Sequence, residues 1–315
     1  MDTTTIFDSI LISEYFVIGA VFLLLIDFFI TVFCMLIRND AMYKNDGAPL
    51  VTNIILVAIE VLLIIFAFVI FSHNKLLLLF SIPLLSTAVI MTIMLFWFFT
   101  QMKGFTVRSM EVFETLVGVI EAGDENLGGH SLHVQNLTML LYEYLPLPDR
   151  LEINYINLQY ASLFLDIGKL GIPRSIIDKK GKLLPKEREL IQRHPEICTE
   201  IFNKIPSLTT VTYWVKYHHE RVDGNGYYHL KGEEIPLASR ILALADTYSA
   251  ITMDRSYRPS LPYESAISEL QLVAGTQLDA RLVELFCSIP KKKVTDCMLD
   301  VRNRMKKYKS GDFRW

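Results

Sequence analysis

The chain has 315 residues, a formal charge of −3, a mean hydropathy of +0.32 and 51% hydrophobic residues. That is too apolar for a purely soluble protein of this length, so part of it belongs in lipid. Apart from the run Lys291 to Lys293 the Lys and Arg residues are scattered, which excludes the basic footprint that duplex nucleic acid requires.

Three apolar stretches come first, at 15–37, 50–71 and 76–100, each meeting the roughly 20 residues that a helix needs to cross the hydrocarbon core. The first does not read as a cleavable signal, because Asp2, Asp8 and Glu14 precede it with no Lys or Arg, and no small-residue cleavage site follows. Arg38 and Lys44 follow the first stretch and Lys103 and Arg108 the third, which places the N-terminus outside and the rest inside, against a single Lys75 in the turn at 72–75. Asp27 and Glu60 lie within these stretches. The plain reading is a protonated or hydrogen-bonded packing residue, and the functional one a proton or ligand sensor. So few spans leave little room for a midplane transport site, and the short loops hold no external ligand domain. The segment is expected to be an anchor first and a sensor second, able to pair across a two-fold axis as a homodimer.

At Lys103-Gly104 the pattern changes to helical periodicity, giving an expected division into 1–102, 103–290 and 291–315. Val107, Met110, Phe113, Leu116, Val117 and Ile120 form the first amphipathic stripe. Further helices are predicted over 131–144, 151–164, 185–204, 209–219, 237–253, 263–274 and 281–288, separated by Pro146-Leu147-Pro148-Asp149, Gly171-Ile172-Pro173, Lys180-Gly181-Lys182 and Asp223-Gly224-Asn225-Gly226. No stretch reads as a strand, so the fold class is all-α. The tail, with alternating charges around Val294, Met298 and Val301, predicts a last surface helix whose charges are solvated. Cys34, Cys198, Cys287 and Cys297 form no C-x-x-C pair and read as reduced structural thiols.

Four of the seven histidines, His130, His194, His218 and His219, fall at or near predicted helix ends beside turn or kink signals. With Asp166 and Asp246 they offer imidazole and carboxylate donors suited to a first-row divalent metal. Singly, each has a plain explanation as a surface or capping histidine, or as a buried hydrogen-bonded acid. Together they are stronger than their members.

The segments Gly129-His130-Ser131, Asp166-Ile167-Gly168-Lys169-Leu170-Gly171-Ile172-Pro173, His194-Pro195, the run from His218 to Tyr228, Arg240 to Asp246, and Asp254-Arg255-Ser256-Tyr257-Arg258 occur in the order and spacing of HD-GYP motifs. Over roughly 107–286 the chain resembles the HD-GYP family of helical HD-type phosphohydrolases. The resemblance implies a bacterial signalling protein that hydrolyses cyclic di-GMP to a linear dinucleotide or to GMP at a di- or tri-metal centre, commonly of iron or manganese. It implies Asp166 as the bridge, with His194, His218 and His219 on one metal and His130 and Asp246 on the other. Lys169 would meet a phosphate or the leaving oxygen, Tyr227 would lie against the substrate, and Arg255 and Arg258 would grip nucleotide phosphates. A solvated surface charge is the plain alternative for each of these cations. The implied location is the bacterial cytoplasmic membrane with the catalytic domain inside, and diguanylate cyclase-type signalling proteins are implied partners.

The pattern breaks in three places. The family's His-Asp pair is Leu165-Asp166 here, so one metal loses a ligand and one or two ions become the expectation. The position of a third-metal glutamate is Asn126, and the signature's final proline is Tyr228, followed by His229-Leu230-Lys231 in a shortened loop. Two functions stay open: a phosphodiesterase weakened at Leu165, and an inactive receptor that still binds cyclic di-GMP through Lys169, Arg255 and Arg258.

Overall fold

Two local signals split stretches that periodicity alone joins. Pro195 has no amide hydrogen, so the carbonyl of Ile191, four residues earlier, loses its helical donor. The expected helix 185–204 is therefore two, Pro185–Gln192 and His194–Phe202, with the Arg193 amide turning back to donate to the Leu190 carbonyl at 3.2 Å. Likewise 151–164 is divided into Leu147–Glu152 and Tyr155–Phe164. Asn154 lies extended between them, and its side chain accepts the Asn157 amide at 3.0 Å, a cap that starts a new helix instead of continuing the old one.

The computed structural model describes residues 94, 97, 109–123, 128–179, 181–254 and 259–310. Apart from Met94 and Trp97 in the third, the three expected membrane spans lie outside the described residues, as do Asn126, Arg255 and Arg258, and among the described residues no helix is long and apolar enough to cross a membrane. The chain divides into two compact units between Val107 and Arg108, and the second holds all six expected donors.

That second unit is helical. Among the described residues the only β pairing is an isolated bridge between Ala274 and Leu278. After a helical stretch at 109–122, here α1, come α2 (His130–Tyr144), α3 (Leu147–Glu152), α4 (Tyr155–Phe164), a 3-10 turn (Ile167–Gly171) and α5 (Arg174–Ile177). Next are α6 (Pro185–Gln192), α7 (His194–Phe202), α8 (Thr209–Lys216), α9 (Leu237–Thr252), α10 (Tyr263–Val273), α11 (Ala280–Ser288) and α12 (Lys291–Ser310).

The core forms around α2, which packs chiefly against α4 and α9. Leu132, Leu137, Leu141, Leu158, Phe164, Ile241, Leu242 and Phe286 are wholly enclosed there. Each such side chain contributes on the order of 1.5–3 kcal/mol by leaving water. The tail helix α12 is not purely superficial. It buries Val294, Val301 and Met305, and its Arg304 pairs with Glu114 of α1 at 2.8 Å. Helix termini meet at one end of this core: the start of α2, the end of α4 with the 3-10 turn, the start of α7 and the end of α8. The middle of α9 joins them.

Candidate metal centre

Two of the expected donors, His194 and His218, are aimed by local backbone events. The Ile191 carbonyl freed by Pro195 accepts His194 Nδ1 at 2.8 Å. The Val215 carbonyl, exposed where α8 ends, accepts His218 Nδ1 at 2.6 Å. A carbonyl only accepts, so both Nδ1 atoms carry the proton and both Nε2 atoms hold bare lone pairs. Yet these two Nε2 atoms face each other at 3.5 Å in a buried space. His219 completes the group: one ligand atom from each of the three histidines lies within 4.8 Å of the others. Two bare Nε2 lone pairs facing one another, with a third imidazole beside them, form a donor set that a divalent cation satisfies.

Asp166 stands between this trio and a second group. Its Oδ1 is 3.5 Å from His194 Nε2 and its Oδ2 is 3.6 Å from His130 Nε2, while His130 Nε2 is 3.0 Å from Asp246 Oδ1. Gly168, two residues on, makes this possible by close approach. A Cβ there would stand 1.9 Å from the His194 carbonyl oxygen, so only glycine lets the 3-10 turn lie against the start of α7.

Burial tends to raise the Asp166 carboxyl, but Lys169, His194 and His130 outweigh it and hold it well below the usual carboxylate range. Asp246 is likewise held low, where burial is opposed chiefly by the hydrogen bond from His130. Burial pushes His194 down to about 4, with His218 and Lys169 adding to it against the pull of Asp166. Burial lowers His218 too, and His219 further, where His218 adds to the effect. Neutral imidazoles beside ionised carboxylates are the protonation states a metal needs.

The structure brings His130, Asp166, His194, His218, His219 and Asp246 into this one place. Lys169 Nζ lies 2.7 Å from Asp166 Oδ2, and the Tyr227 ring packs on His219 with centroids 4.8 Å apart. Leu165 is wholly buried within the apolar core and supplies no donor.

Four participants carried no signal strong enough to single them out from sequence. Glu220 is buried, and its two oxygens accept the amides of Tyr228 at 2.6 Å and Leu230 at 2.7 Å, so it shapes the shortened loop. Glu121 accepts the Ser131 amide at 3.0 Å beside His130. Ser249 bonds both His130 and His133. His133 stands one turn after His130 on α2, a spacing that could have drawn attention to it.

Residues 118–282 match the model of the HD domain. The chain belongs to the HD-GYP family. Over 213 residues it is 34% identical to a cyclic di-GMP phosphodiesterase of Vibrio cholerae, covering 62% of this chain and 42% of that one. A 3'3'-cGAMP-specific phosphodiesterase of the same organism is 33% identical over 174 residues, 55% of this chain and 36% of its own. A cyclic di-GMP phosphodiesterase of Thermotoga maritima is 33% identical over 202 residues, 63% of this chain and 53% of its own. This HD-GYP chain thus spans about half or less of the length of these relatives.

Proposed function

We propose that this chain is a metal-dependent phosphodiesterase for cyclic di-GMP, held at the inner face of a bacterial cytoplasmic membrane by residues 1–102. The observation that carries the chemistry is the double-facing carboxylate, with Asp166 Oδ1 toward His194 and Oδ2 toward His130. On this reading His194, His218 and His219 hold one ion with Asp166, and His130 and Asp246 hold a second with the same carboxylate. Two such ions, iron or manganese by family resemblance, would neutralise charge on the phosphoryl oxygens and lower the pKa of an attacking water. Lys169 Nζ uses one N–H on Asp166 and has two left for a phosphate or the departing ribose oxygen. Tyr227, tilted by 38° against the His219 ring, offers a face to a guanine base. The choice of cyclic di-GMP rests on relatives that carry it in their names, with 3'3'-cGAMP the competing substrate. A homodimer formed through the spans and diguanylate cyclase-type partners belong to the same reading.

A second reading draws on Leu165, which withholds a donor, and on Lys169, which occupies an oxygen of the bridging carboxylate. Both favour a receptor that binds cyclic di-GMP without cleaving it. The deciding experiment uses the full chain in membranes, loaded with manganese or ferrous iron. Turnover of cyclic di-GMP is measured for wild type, Asp166→Ala and Leu165→His. Turnover in wild type that Asp166→Ala abolishes supports the enzyme. Nucleotide binding without turnover, with activity appearing in Leu165→His, supports the receptor. A wild type that neither cleaves nor binds the nucleotide refutes both.

A further inference from the structure

Behind the centre, two imidazoles share one hydroxyl. His130 Nδ1 and His133 Nδ1 each lie 2.9 Å from Ser249 Oγ. The histidines stand one turn apart on α2 and the serine on α9, and all three side chains are sealed from water, none more than 2% exposed. A hydroxyl has one hydrogen and otherwise accepts. Where it donates to one of the two ring nitrogens it can only accept from the other, and the two Nδ1 atoms then hold one proton between them. Met253 Sδ, at 3.4 Å, is the only other acceptor the hydroxyl reaches among the described residues, and a thioether is a weak one.

We infer that Ser249 and His133 are positioning residues that set which nitrogen of His130 is bare. When Ser249 gives its hydrogen to His133, His130 keeps its own proton on Nδ1 and turns an Nε2 lone pair toward Asp166 and Asp246. In the opposite setting Ser249 donates to His130 Nδ1, and the ring's proton moves to Nε2, where it is 3.0 Å from Asp246 Oδ1 and blocks a cation. The first setting places the His133 proton on Nε2, a buried atom with no hydrogen-bond partner. That unsatisfied donor weighs against the metal-ready form, so His133 tunes how readily the centre fills. The inference rests on reading His130 as a metal ligand, but the shared proton itself needs no metal.

The test uses the full chain with 15N-labelled histidine, observed by NMR before and after zinc, a diamagnetic stand-in, with zinc affinity measured by calorimetry. Without metal, one of the two Nδ1 atoms is expected to be protonated and the other bare. Both protonated, or both bare, overturns the inference. With zinc, the proton is expected on His130 Nδ1. His133→Leu leaves the hydroxyl His130 and the weakly accepting Met253 thioether to donate to, and should weaken zinc binding by about 10- to 100-fold, although His133 touches no metal site. Adding Ser249→Ala removes the misdirected donor, so the double variant should bind zinc better than His133→Leu alone. Losses that add, with falling melting temperature and unchanged His130 proton position, would mean plain packing and overturn the assignment. If wild type binds no zinc while the shared proton is seen, the metal reading fails and the lock between the rings stands.

Discussion

Replacing Gly168 by alanine inserts one methyl group between two backbones. The new Cβ would meet the His194 carbonyl oxygen at 1.9 Å, its carbon at 2.8 Å and the Cys198 amide nitrogen at 2.9 Å. An ordinary contact begins near 3.4 Å, so the 3-10 turn and α7 must part by about 1.5 Å along that line (3.4 − 1.9). No flexible side chain can yield in their place, which puts the cost at the upper part of the roughly 1–3 kcal/mol typical of overpacking. With an m-value of about 2 kcal/mol/M, the urea midpoint falls by roughly 1–1.5 M. The same parting lengthens the 3.5 Å approach of His194 to Asp166, so metal affinity should fall together with stability. Gly181→Ala, where a Cβ meets nothing within 4 Å, is the control and should be neutral. Urea denaturation and metal titration of both variants test the reasoning. A Gly168→Ala protein with the midpoint and affinity of wild type would refute the close contact.

Asn154→Ala removes the cap of α4 and should cost about 1 kcal/mol, read as a lower melting temperature, with Asn154→Asp retaining most of the stability. Glu220→Ala leaves the half-buried amides of Tyr228 and Leu230 without their acceptor, a penalty of about 1 kcal/mol each, at the low end of the range for an orphaned donor because water reaches them in part. Hydrogen exchange at those two amides should quicken, and unchanged protection would count against the loop's dependence on this carboxylate. In the metal-free protein, burial lowers His133 to about 3 and His194 to about 4 from an ordinary 6.5. As the pH falls below 6.5 the unfolded chain gains protons that the folded one refuses, so stability is full above 6.5 and declines toward 4 through His194 and on toward 3 through His133. Urea midpoints that are flat or rising between pH 7.5 and 5 would contradict this. Bound metal should stabilise the fold by about 2.7 kcal/mol at a free ion concentration of 100 times Kd, read as a higher melting temperature that chelation reverses.

The helices of the second unit were legible because apolar side chains recur with the helical period and because Pro, Gly and Asn punctuate them. The breaks at Asn154 and Arg193 are not legible in the same signals, since periodicity runs on across both, and only the cap by the Asn154 side chain and the missing amide of Pro195 decide them. The six imidazole and carboxylate residues were legible as a group through motif order. The backbone carbonyls that aim His194 and His218 were not, because they become free only when two helices end where they do.

What the sequence determined by itself is composition and period: a helical unit after an apolar leading segment, and a set of donors without a histidine at Leu165. What only the tertiary structure decided is proximity between remote stretches. Ser249 meets His130 across 119 residues and His133 across 116, and the glycine at 168 matters because another helix's backbone passes beside it. Hydrogen bonds and steric contacts act over a few ångströms, and a linear pattern states which groups exist without stating which of them the packed core brings within that range.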